Sequence, residues 1–177
     1  MRRAVFLDRD GVINRAEVRE GRPYSPADVA ALTVLQGVPE ALRRLREAGF
    51  LLIVVTNQPN VSRGVQTRAS IEAIHATLRA ALPLDDVRVC FHDDADRCPC
   101  RKPAPGMILD AARAGRIDLA TSFMVGDRWR DIEAGRHAGC KTVWIDCGYA
   151  EPPPDAFDFR AGSLLEASAW ICAQPCL

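Results

Sequence analysis

Residues 4–12 have the sequence Ala-Val-Phe-Leu-Asp-Arg-Asp-Gly-Val, and this stretch decides the fold. The apolar run Ala4–Leu7 has the length of a buried strand, and two carboxylates, Asp8 and Asp10, follow it directly. A lone Asp-x-Asp is usually a solvated turn or a cation-binding loop. In open parallel sheets, however, ligands bind at the carboxyl ends of the strands. The position of this pair therefore makes a functional site an equally strong interpretation.

Strand-like and helix-like segments alternate along the rest of the chain. Further strands are predicted at 50–55, 87–91, 122–126 and 142–145. Amphipathic helices are predicted at 38–45, 71–82, 105–114 and 131–138, and after Ser163. Alternating strands and helices form a parallel sheet that is covered on both faces. The sequence therefore predicts an α/β fold, with one domain spanning 1–177.

The composition of the 177-residue chain excludes several classes of protein. With 48% hydrophobic and 26% charged residues, the chain is neither disordered nor fibrous. Its 23 basic residues balance its 23 acidic residues, which argues against nucleic acid or another polyanion held by a broad basic field. Its apolar runs are too short for a signal peptide or a membrane span. We expect a monomeric cytoplasmic protein that binds no membrane.

Polar residues also follow the later strands or precede helices. Thr56 ends the second predicted strand, Lys102 precedes a helix, and Asp127 ends the fourth strand with Asp131 one helical turn later. Taken singly, these residues have ordinary structural explanations as a polar strand exit, a surface lysine and a helix N-cap. Together with the Asp-x-Asp pair they form an ordered series at the edge of the sheet where ligands bind.

This ordered series resembles the motifs of the haloacid-dehalogenase-like phosphatases, and the resemblance covers almost the whole chain. It implies a Rossmann-like core sheet and hydrolysis of a phosphomonoester. It also implies that Asp8 attacks phosphorus and becomes an aspartyl phosphate. Asp10 would protonate the leaving oxygen and then activate water, while Thr56 and Lys102 would bind the phosphoryl group.

The same resemblance implies a catalytic Mg²⁺ ion. Its ligands would be the carboxylates of Asp8 and Asp127 and the backbone carbonyl of Asp10, with Asp131 supporting them. Clustered carboxylates repel one another unless a cation neutralises them, and oxygen ligands select a hard ion. The cation and Lys102 would offset charge on the transferring phosphoryl group. Asp10 has to be protonated and then ionised, so we expect its surroundings to tune its pKa.

A second metal site is predicted in the loop 90–102. Cys90, His92, Cys98 and Cys100 form the pattern C-x-H-x5-C-x-C, and four soft ligands in a short segment are typical of zinc. Three thiolates and one imidazole would fill a tetrahedral shell, so the zinc would be structural. The alternative is a polar loop with incidental cysteines. The four ligands are closer together in sequence than those of classical zinc fingers, and no basic patch surrounds the loop. Nucleic-acid binding by this loop is therefore not expected.

The zinc pattern narrows the resemblance to one subgroup. The Asp-Arg-Asp-Gly start, Thr56-Asn57-Gln58, the zinc loop and Cys100-Arg101-Lys102-Pro103 resemble the D-glycero-D-manno-heptose 1,7-bisphosphate phosphatases and the histidinol-phosphate phosphatases. That subgroup lacks a large cap domain, and no stretch of this sequence is long enough to form one. The implied substrate is a small phosphorylated metabolite that loops near the site select.

Substrate contacts are predicted for Asn57, Arg63, Arg101 and Arg128. Arginine forks suit phosphate oxygens, and a bisphosphate needs a second cationic subsite. Arg63 and Arg101 match positions that the resemblance marks for substrate contact, which favours the heptose bisphosphate. The short gap between His92 and Cys98 and the arginine at 128 favour histidinol phosphate instead. The heptose bisphosphate is the first choice, and histidinol phosphate stays open.

Two further classes of protein share some of these features. A phosphate-accepting signalling domain also combines Asp, Thr and Lys around Mg²⁺, but its phosphorylated Asp follows a middle strand. A zinc-stabilised interaction domain without turnover is the other alternative. Asp10 argues against both classes because it supplies the acid and base that turnover requires.

Four of the seven cysteines lie outside the zinc pattern. Cys140 and Cys172 have the character of small core residues. Cys147 and Cys176 are expected to be exposed, and the sequence shows no catalytic partner for either. An odd count excludes complete pairing within the chain.

Overall fold

The computed structural model describes residues 1–175 of the chain, and within them a six-stranded parallel sheet carries helices on both faces. The sheet contains β1 (Arg3–Leu7), β4 (Phe50–Asn57), β5 (Asp86–Cys90), β6 (Phe123–Gly126), β7 (Lys141–Ile145) and β8 (Phe159–Ala161). The helices are α1 (Val38–Glu47), α2 (Arg68–Ala81), α3 (Gly106–Gly115), α4 (Trp129–Ala138) and α5 (Leu164–Cys172). Across residues 1–175, none of these helices is long and apolar enough to cross a membrane. The predicted α/β class is confirmed.

Each face of the sheet buries its own apolar cluster, because successive side chains of a strand point to opposite faces. In β1, Val5 and Leu7 join the cluster that α1, α2 and α5 cover. Ala4 and Phe6 join the cluster on the other face, under α3 and α4. All four side chains are fully buried. Burial on both faces explains why this strand appears in the sequence as a continuous apolar run.

The strand order β5-β4-β1-β6-β7-β8 places a topological switch point between β1 and β6. The chain builds one half of the sheet outward from β1 to β5, then returns to build the other half from β6 to β8. Ligands of open α/β sheets bind outside the carboxyl ends of the strands at such a point. Asp8 follows β1 and Asp127 follows β6, so both residues lie there, and Thr56 lies near the end of the neighbouring strand β4.

Three short strands were absent from the sequence-based prediction. β2 (Glu17–Arg19) and β3 (Arg22–Tyr24) form an antiparallel hairpin after β1, and β8 is a three-residue edge strand. Glu20 and Gly21 have φ values of 50° and 73°, which fit the two-residue turn of a right-twisted hairpin. These strands were missed because three residues show no apolar periodicity, and because Pro23 is unfavourable within a strand.

The cysteines outside the zinc pattern follow the predictions in part. Cys140 is buried and Cys147 is exposed, as expected. Cys172 is exposed, so the prediction that it packs in the core is wrong. The buried stripe of α5 ends at Ile171, and Cys172 lies beside it in the last turn. Cys176 lies outside the described residues.

The packing of α4 on β6 leaves no space for a side chain at Gly135. A Cβ there would lie 2.5 Å from the Cβ of Met124 and 3.0 Å from Cγ2 of Thr142. We expect Gly135→Ala to lower the free energy of unfolding by about 1–3 kcal/mol, because the core becomes overpacked. Helix propensity alone predicts the opposite, a gain of about 1 kcal/mol. Chemical denaturation measures the change.

Arg136→Ala, at the next and exposed position of α4, is the control. We expect it to change the free energy of unfolding by less than about 0.5 kcal/mol. A Gly135→Ala protein as stable as the wild type would contradict the packing described here.

Candidate active site

Lys102 is buried at the carboxyl edge of the sheet, where its ammonium contacts three oxygen atoms. Its Nζ lies 2.7 Å from Asp8 Oδ1, 2.6 Å from Asp131 Oδ1 and 2.7 Å from the carbonyl oxygen of Val55. An ammonium has three donors, so each one finds an acceptor. Burial acts to lower the pKa of Lys102, but Asp131 and Asp8 outweigh it and raise the pKa. The lysine is therefore charged.

Asn57, the last residue of β4, fixes the backbone that carries this lysine. Its Nδ2 donates to the carbonyl oxygen of Lys102 at 3.0 Å, and the Lys102 N–H donates to its Oδ1 at 3.1 Å. The side chain predicted to bind substrate thus uses both of its polar atoms on the protein. Its contacts join the end of β4 to the loop that leads to α3.

Asp8, Asp127 and Asp131 form a buried cluster in which one carboxylate oxygen from each residue lies within 4.8 Å of the other two. When all are ionised, the three carboxylates and Lys102 carry an excess of two negative charges. Burial raises the pKa of Asp127 well above its usual value, and the charges of Asp8 and Asp131 add to this effect. Burial also raises the pKa of Asp8 to about 6, although Lys102 opposes the shift.

The Asp127 carboxylate indicates what the cluster can hold. Among the described residues, no donor has hydrogen-bond geometry to either of its oxygens, although the nearby Tyr149 hydroxyl acts to lower its pKa. Two buried oxygens without partners and an excess of two negative charges fit a hard divalent cation. Asp131, predicted to support such an ion, is held by Lys102 and by the Arg128 N–H, 3.0 Å from its Oδ2.

Asp10 accepts hydrogen bonds from the side chains of Arg9, Asn14, Ser25 and Gln58. Arg9 Nε and Nη2 reach its two oxygens at 3.1 and 2.9 Å, and the other three donors lie at 2.8–2.9 Å. Burial acts to raise the pKa of Asp10, but the Arg9 charge and the hydrogen bonds outweigh it, so the pKa is lowered. The surroundings tune this pKa, as expected, and they favour the ionised carboxylate.

Arg9 is fully buried and makes a third contact on the side away from Asp10. Its Nη1 lies 2.8 Å from Nε2 of His75, a buried residue of α2. Burial and the Arg9 charge lower the pKa of His75 to about 4, so the imidazole is neutral at neutral pH and its Nε2 accepts the hydrogen bond. The sequence analysis missed both residues. The available signal was the position of Arg9 between two carboxylates.

Gln58 connects Thr56 to Asp10. Its Nε2 donates to Thr56 Oγ1 at 2.8 Å and to Asp10 Oδ2 at 2.9 Å, and the side chain is fully buried. The Ser25 hydroxyl lies 2.8 Å from both Asp10 Oδ2 and Gln58 Oε1, and its single proton serves one of them at a time. The motif Thr56-Asn57-Gln58 includes Gln58, but the sequence analysis assigned no role to this residue. Ser25 belongs to no motif, so nothing local indicated it.

The four predicted zinc ligands converge in the loop after β5. The Sγ atoms of Cys90, Cys98 and Cys100 lie 3.1–3.6 Å apart, and His92 Nδ1 lies 3.6 and 3.4 Å from the Sγ atoms of Cys90 and Cys100. Zinc–sulfur bonds of about 2.3 Å in a tetrahedron put sulfurs about 3.8 Å apart. The cluster is close to this size, so these residues could hold a zinc ion.

The same loop supplies carboxylates that hold arginines. Arg63 Nε and Nη2 donate to Asp93 at 2.6 and 2.7 Å. Arg101 Nε donates to Asp94 Oδ1 at 2.8 Å, and Arg130 Nη1 donates to the same oxygen at 3.0 Å. Folding of the loop therefore decides where these three guanidinium groups lie.

A cavity of about 470 Å³ opens over these groups. It is lined by all the residues predicted to be catalytic or to bind substrate, namely Asp8, Asp10, Thr56, Asn57, Arg63, Arg101, Lys102 and Arg128. Arg22 and Arg130, which the sequence analysis missed, also line it. Arg128 pairs with Glu151 at its rim. Asp127 is not among the lining residues of this cavity, and its buried side chain lies beside Asp8.

We expect zinc in the protein purified without chelator, and we expect Cys98→Ser to lose it. The loss should also lower the free energy of unfolding, by about 4 kcal/mol if free zinc stands a thousandfold above its Kd. Elemental analysis and chemical denaturation measure the two effects. Cys172→Ser, at an exposed cysteine of α5, is the control and should keep its zinc. Full zinc content in Cys98→Ser would refute the ligand set.

We expect the wild-type protein to lose more stability than His75→Gln when the pH falls from 7 to 5. Histidine has a pKa of about 6.5 in an unfolded chain, whereas that of His75 is lowered to about 4. Between these values the unfolded state binds more protons, so stability falls with pH. The difference should reach about 1–2 kcal/mol at pH 5 in denaturation experiments. Equal losses would show that the fold does not hold His75 neutral.

Comparisons with known proteins agree with this geometry. A family model described as HAD-hydrolase-like matches residues 99–166. The D-glycero-beta-D-manno-heptose-1,7-bisphosphate 7-phosphatase of Rhodopseudomonas palustris is 39% identical in an alignment 150 residues long, and the match covers 78% of this chain and 80% of that protein. The Escherichia coli K12 protein of the same name is 37% identical, and the match covers 97% of this chain and 94% of that protein.

A solved structure shares the fold over nearly its whole length. The D,D-heptose 1,7-bisphosphate phosphatase from B. bronchiseptica, complexed with magnesium and phosphate, matches with a TM-score of 0.79 and 29% identity. The match covers 96% of this chain and 97% of that one. The curated relatives are more than one third identical over most of the chain, and the solved structure shares its fold. Both findings support the same conclusion. The chain belongs to the haloacid-dehalogenase-like phosphatases and is a phosphoric monoester hydrolase.

Proposed function

We propose that the chain is a Mg²⁺-dependent phosphatase that removes the 7-phosphate from D-glycero-β-D-manno-heptose 1,7-bisphosphate. The observation that carries this proposal is the group of arginines that lines the cavity beside Asp8. Besides Lys102, the arginines that line it are Arg22, Arg63, Arg101, Arg128 and Arg130. A second phosphate group needs such a cationic subsite, and arginine forks match phosphate oxygens. The curated relatives bear the name of an enzyme that acts on this substrate.

Asp8 is the proposed nucleophile. It lies at the carboxyl end of β1, lines the cavity, and has one oxygen 2.7 Å from Lys102 Nζ. A bond forms from its carboxylate to phosphorus as the bond to the leaving oxygen breaks, which splits the reaction into two easier steps. Lys102 and Thr56 bind the phosphoryl oxygens and offset their charge.

Magnesium would be held by the carboxylates of Asp8 and Asp127 and by the backbone carbonyl of Asp10. When bound, the ion supplies positive charge to the transferring phosphoryl group. The buried oxygens of Asp127 that lack hydrogen-bond donors support this assignment. Asp131 keeps Lys102 charged and close to the nucleophile.

Asp10 is the proposed acid and base. In the first step it gives a proton to the leaving oxygen. In the second it takes a proton from the water that attacks phosphorus, as the bond from Asp8 to phosphorus breaks and phosphate leaves. The ionised form that Arg9 favours is the form that the second step needs. The first step needs a protonated carboxyl, so at least one of the donors that reach its oxygens has to turn away. Ser25 can do so, because its hydroxyl lies equally close to Gln58 Oε1.

The loop 90–102 is proposed to hold a structural zinc within one domain that spans 1–177. Its four ligands leave no open position for water. The loop would fix Arg63 and Arg101 through Asp93 and Asp94 for contact with the substrate, and Arg128 would complete the contacts. Asn57, predicted to bind substrate, would act through the Lys102 backbone that its side chain holds. We further propose a monomer that acts in the cytoplasm on a small metabolite, without binding nucleic acid or membrane. The balanced charge and the free cysteines support this setting.

The proposal predicts Mg²⁺-dependent phosphate release from the heptose bisphosphate. We expect its kcat/KM to exceed that of histidinol phosphate by at least about tenfold, because several arginines remain for its second phosphate. Asp8→Asn should lower kcat by at least about 1,000-fold, since an amide cannot form the acyl phosphate. A phosphate-release assay on both substrates measures these values.

Asp155→Asn, a carboxylate in an exposed loop, is the matched control and should keep the wild-type rate. Undiminished hydrolysis by Asp8→Asn would overturn the mechanism. A higher kcat/KM for histidinol phosphate would make that compound the substrate instead. Absence of turnover with either compound, together with stable phosphorylation of Asp8, would favour a phosphate-accepting domain.

A further inference from the structure

The Arg9 guanidinium uses all three of its nitrogens on protein atoms. Nε and Nη2 bind the two oxygens of Asp10, and Nη1 binds His75 Nε2 at 2.8 Å. Neither Arg9 nor His75 is among the residues that line the cavity. The hydrogen bonds of the Arg9 side chain connect both residues to the cavity through Asp10, which lines it.

His75 is anchored independently of the loop that carries Asp10. It lies in α2, whose neighbouring residues Ile71, Ile74 and Leu78 are almost completely buried in the core. Arg9 and Asp10, by contrast, are adjacent in a loop that leaves β1. Asn14, Ser25 and Gln58 also donate to Asp10. The contact with His75 adds a tie between the Arg9 guanidinium itself and a packed helix, which limits the rotation of that guanidinium.

The chemistry of the contact requires a neutral acceptor at position 75. A guanidinium has only donors, so Nε2 of the imidazole has to carry a lone pair and the ring proton has to lie on Nδ1. The lowered pKa of His75 agrees with this state. Without an acceptor here, a buried N–H of Arg9 would lose its partner, which is costly in a buried site.

We propose that His75 is a positioning residue for hydrolysis, because it locks the Arg9 guanidinium and thereby holds the Asp10 carboxylate in place for proton transfer. This inference rests on the proposed function, which gives Asp10 the acid and base steps. The phosphate groups of the substrate are bound by other residues. Loss of the lock therefore affects the chemical step and leaves substrate binding unchanged.

The test compares three variants of the full chain with Mg²⁺ and the heptose bisphosphate. His75→Leu keeps much of the volume but removes the acceptor, and His75→Gln keeps an acceptor oxygen. Leu78→Val changes packing in the same helix without a polar role. We expect His75→Leu to lower kcat by roughly 10- to 100-fold, as misplacement of a reacting group does, with KM unchanged. His75→Gln should restore most of kcat, and Leu78→Val should keep it.

Two kinetic outcomes would overturn the proposal. One is a wild-type kcat in His75→Leu. The other is a loss of kcat that His75→Gln does not restore or that matches the unfolded fraction in denaturation, since His75 would then only fill space.

A nitrogen-15 NMR measurement on the wild-type protein at pH 7 needs no turnover. We expect the His75 proton on Nδ1, and a shifted Arg9 Nε–H resonance in His75→Leu. A proton on Nε2 would refute the contact. If the wild type does not hydrolyse the heptose bisphosphate, the proposed function is wrong, and the NMR result still decides whether His75 holds Arg9.

Discussion

The ammonium of Lys102, buried between Asp8 and Asp131, is the interaction on which the rest of the site depends. Three carboxylates this close would not all ionise without positive charge beside them. The lysine supplies part of that charge, and the remaining excess suits a divalent cation. Because the ammonium also reaches the carbonyl oxygen of Val55, it is fixed to the end of β4 as well as to Asp8. The same contacts therefore keep Lys102 charged and fix the position of its ammonium.

The neutral overall charge conceals a strong local separation. Acidic groups gather below the cavity, at Asp8, Asp127 and Asp131, while arginines surround its mouth. Most of these arginines are held by carboxylates, which would keep them in place before a phosphate arrives. Preorganised guanidinium groups lose less side-chain entropy on binding than free ones. The loop with the cysteine cluster provides two of those carboxylates, so its structural metal would act on substrate recognition without touching the substrate.

Much of the site followed from local sequence patterns. Apolar runs that end in polar residues marked the strands and the edge where Asp8, Thr56 and Asp127 meet, because parallel strands align their carboxyl ends. The spacing of Cys90 and the three other ligands marked the metal loop within one short segment. Helices were recognisable from their apolar periodicity. The sequence-based predictions failed in two places. They missed the short strands, which lack apolar periodicity, and they buried Cys172, whose exposure depends on where the buried stripe of α5 ends.

The sequence by itself determined the fold class and singled out the residues that form the carboxylate cluster and the cysteine–histidine cluster. These properties depend on residue type and short-range spacing. Only the tertiary structure decided which side chains pair across long separations. Arg9 meets His75 across 66 residues, and Arg63 meets Asp93 across 30. Such pairs depend on how loops pack against a helix or another loop, and no local pattern records that packing.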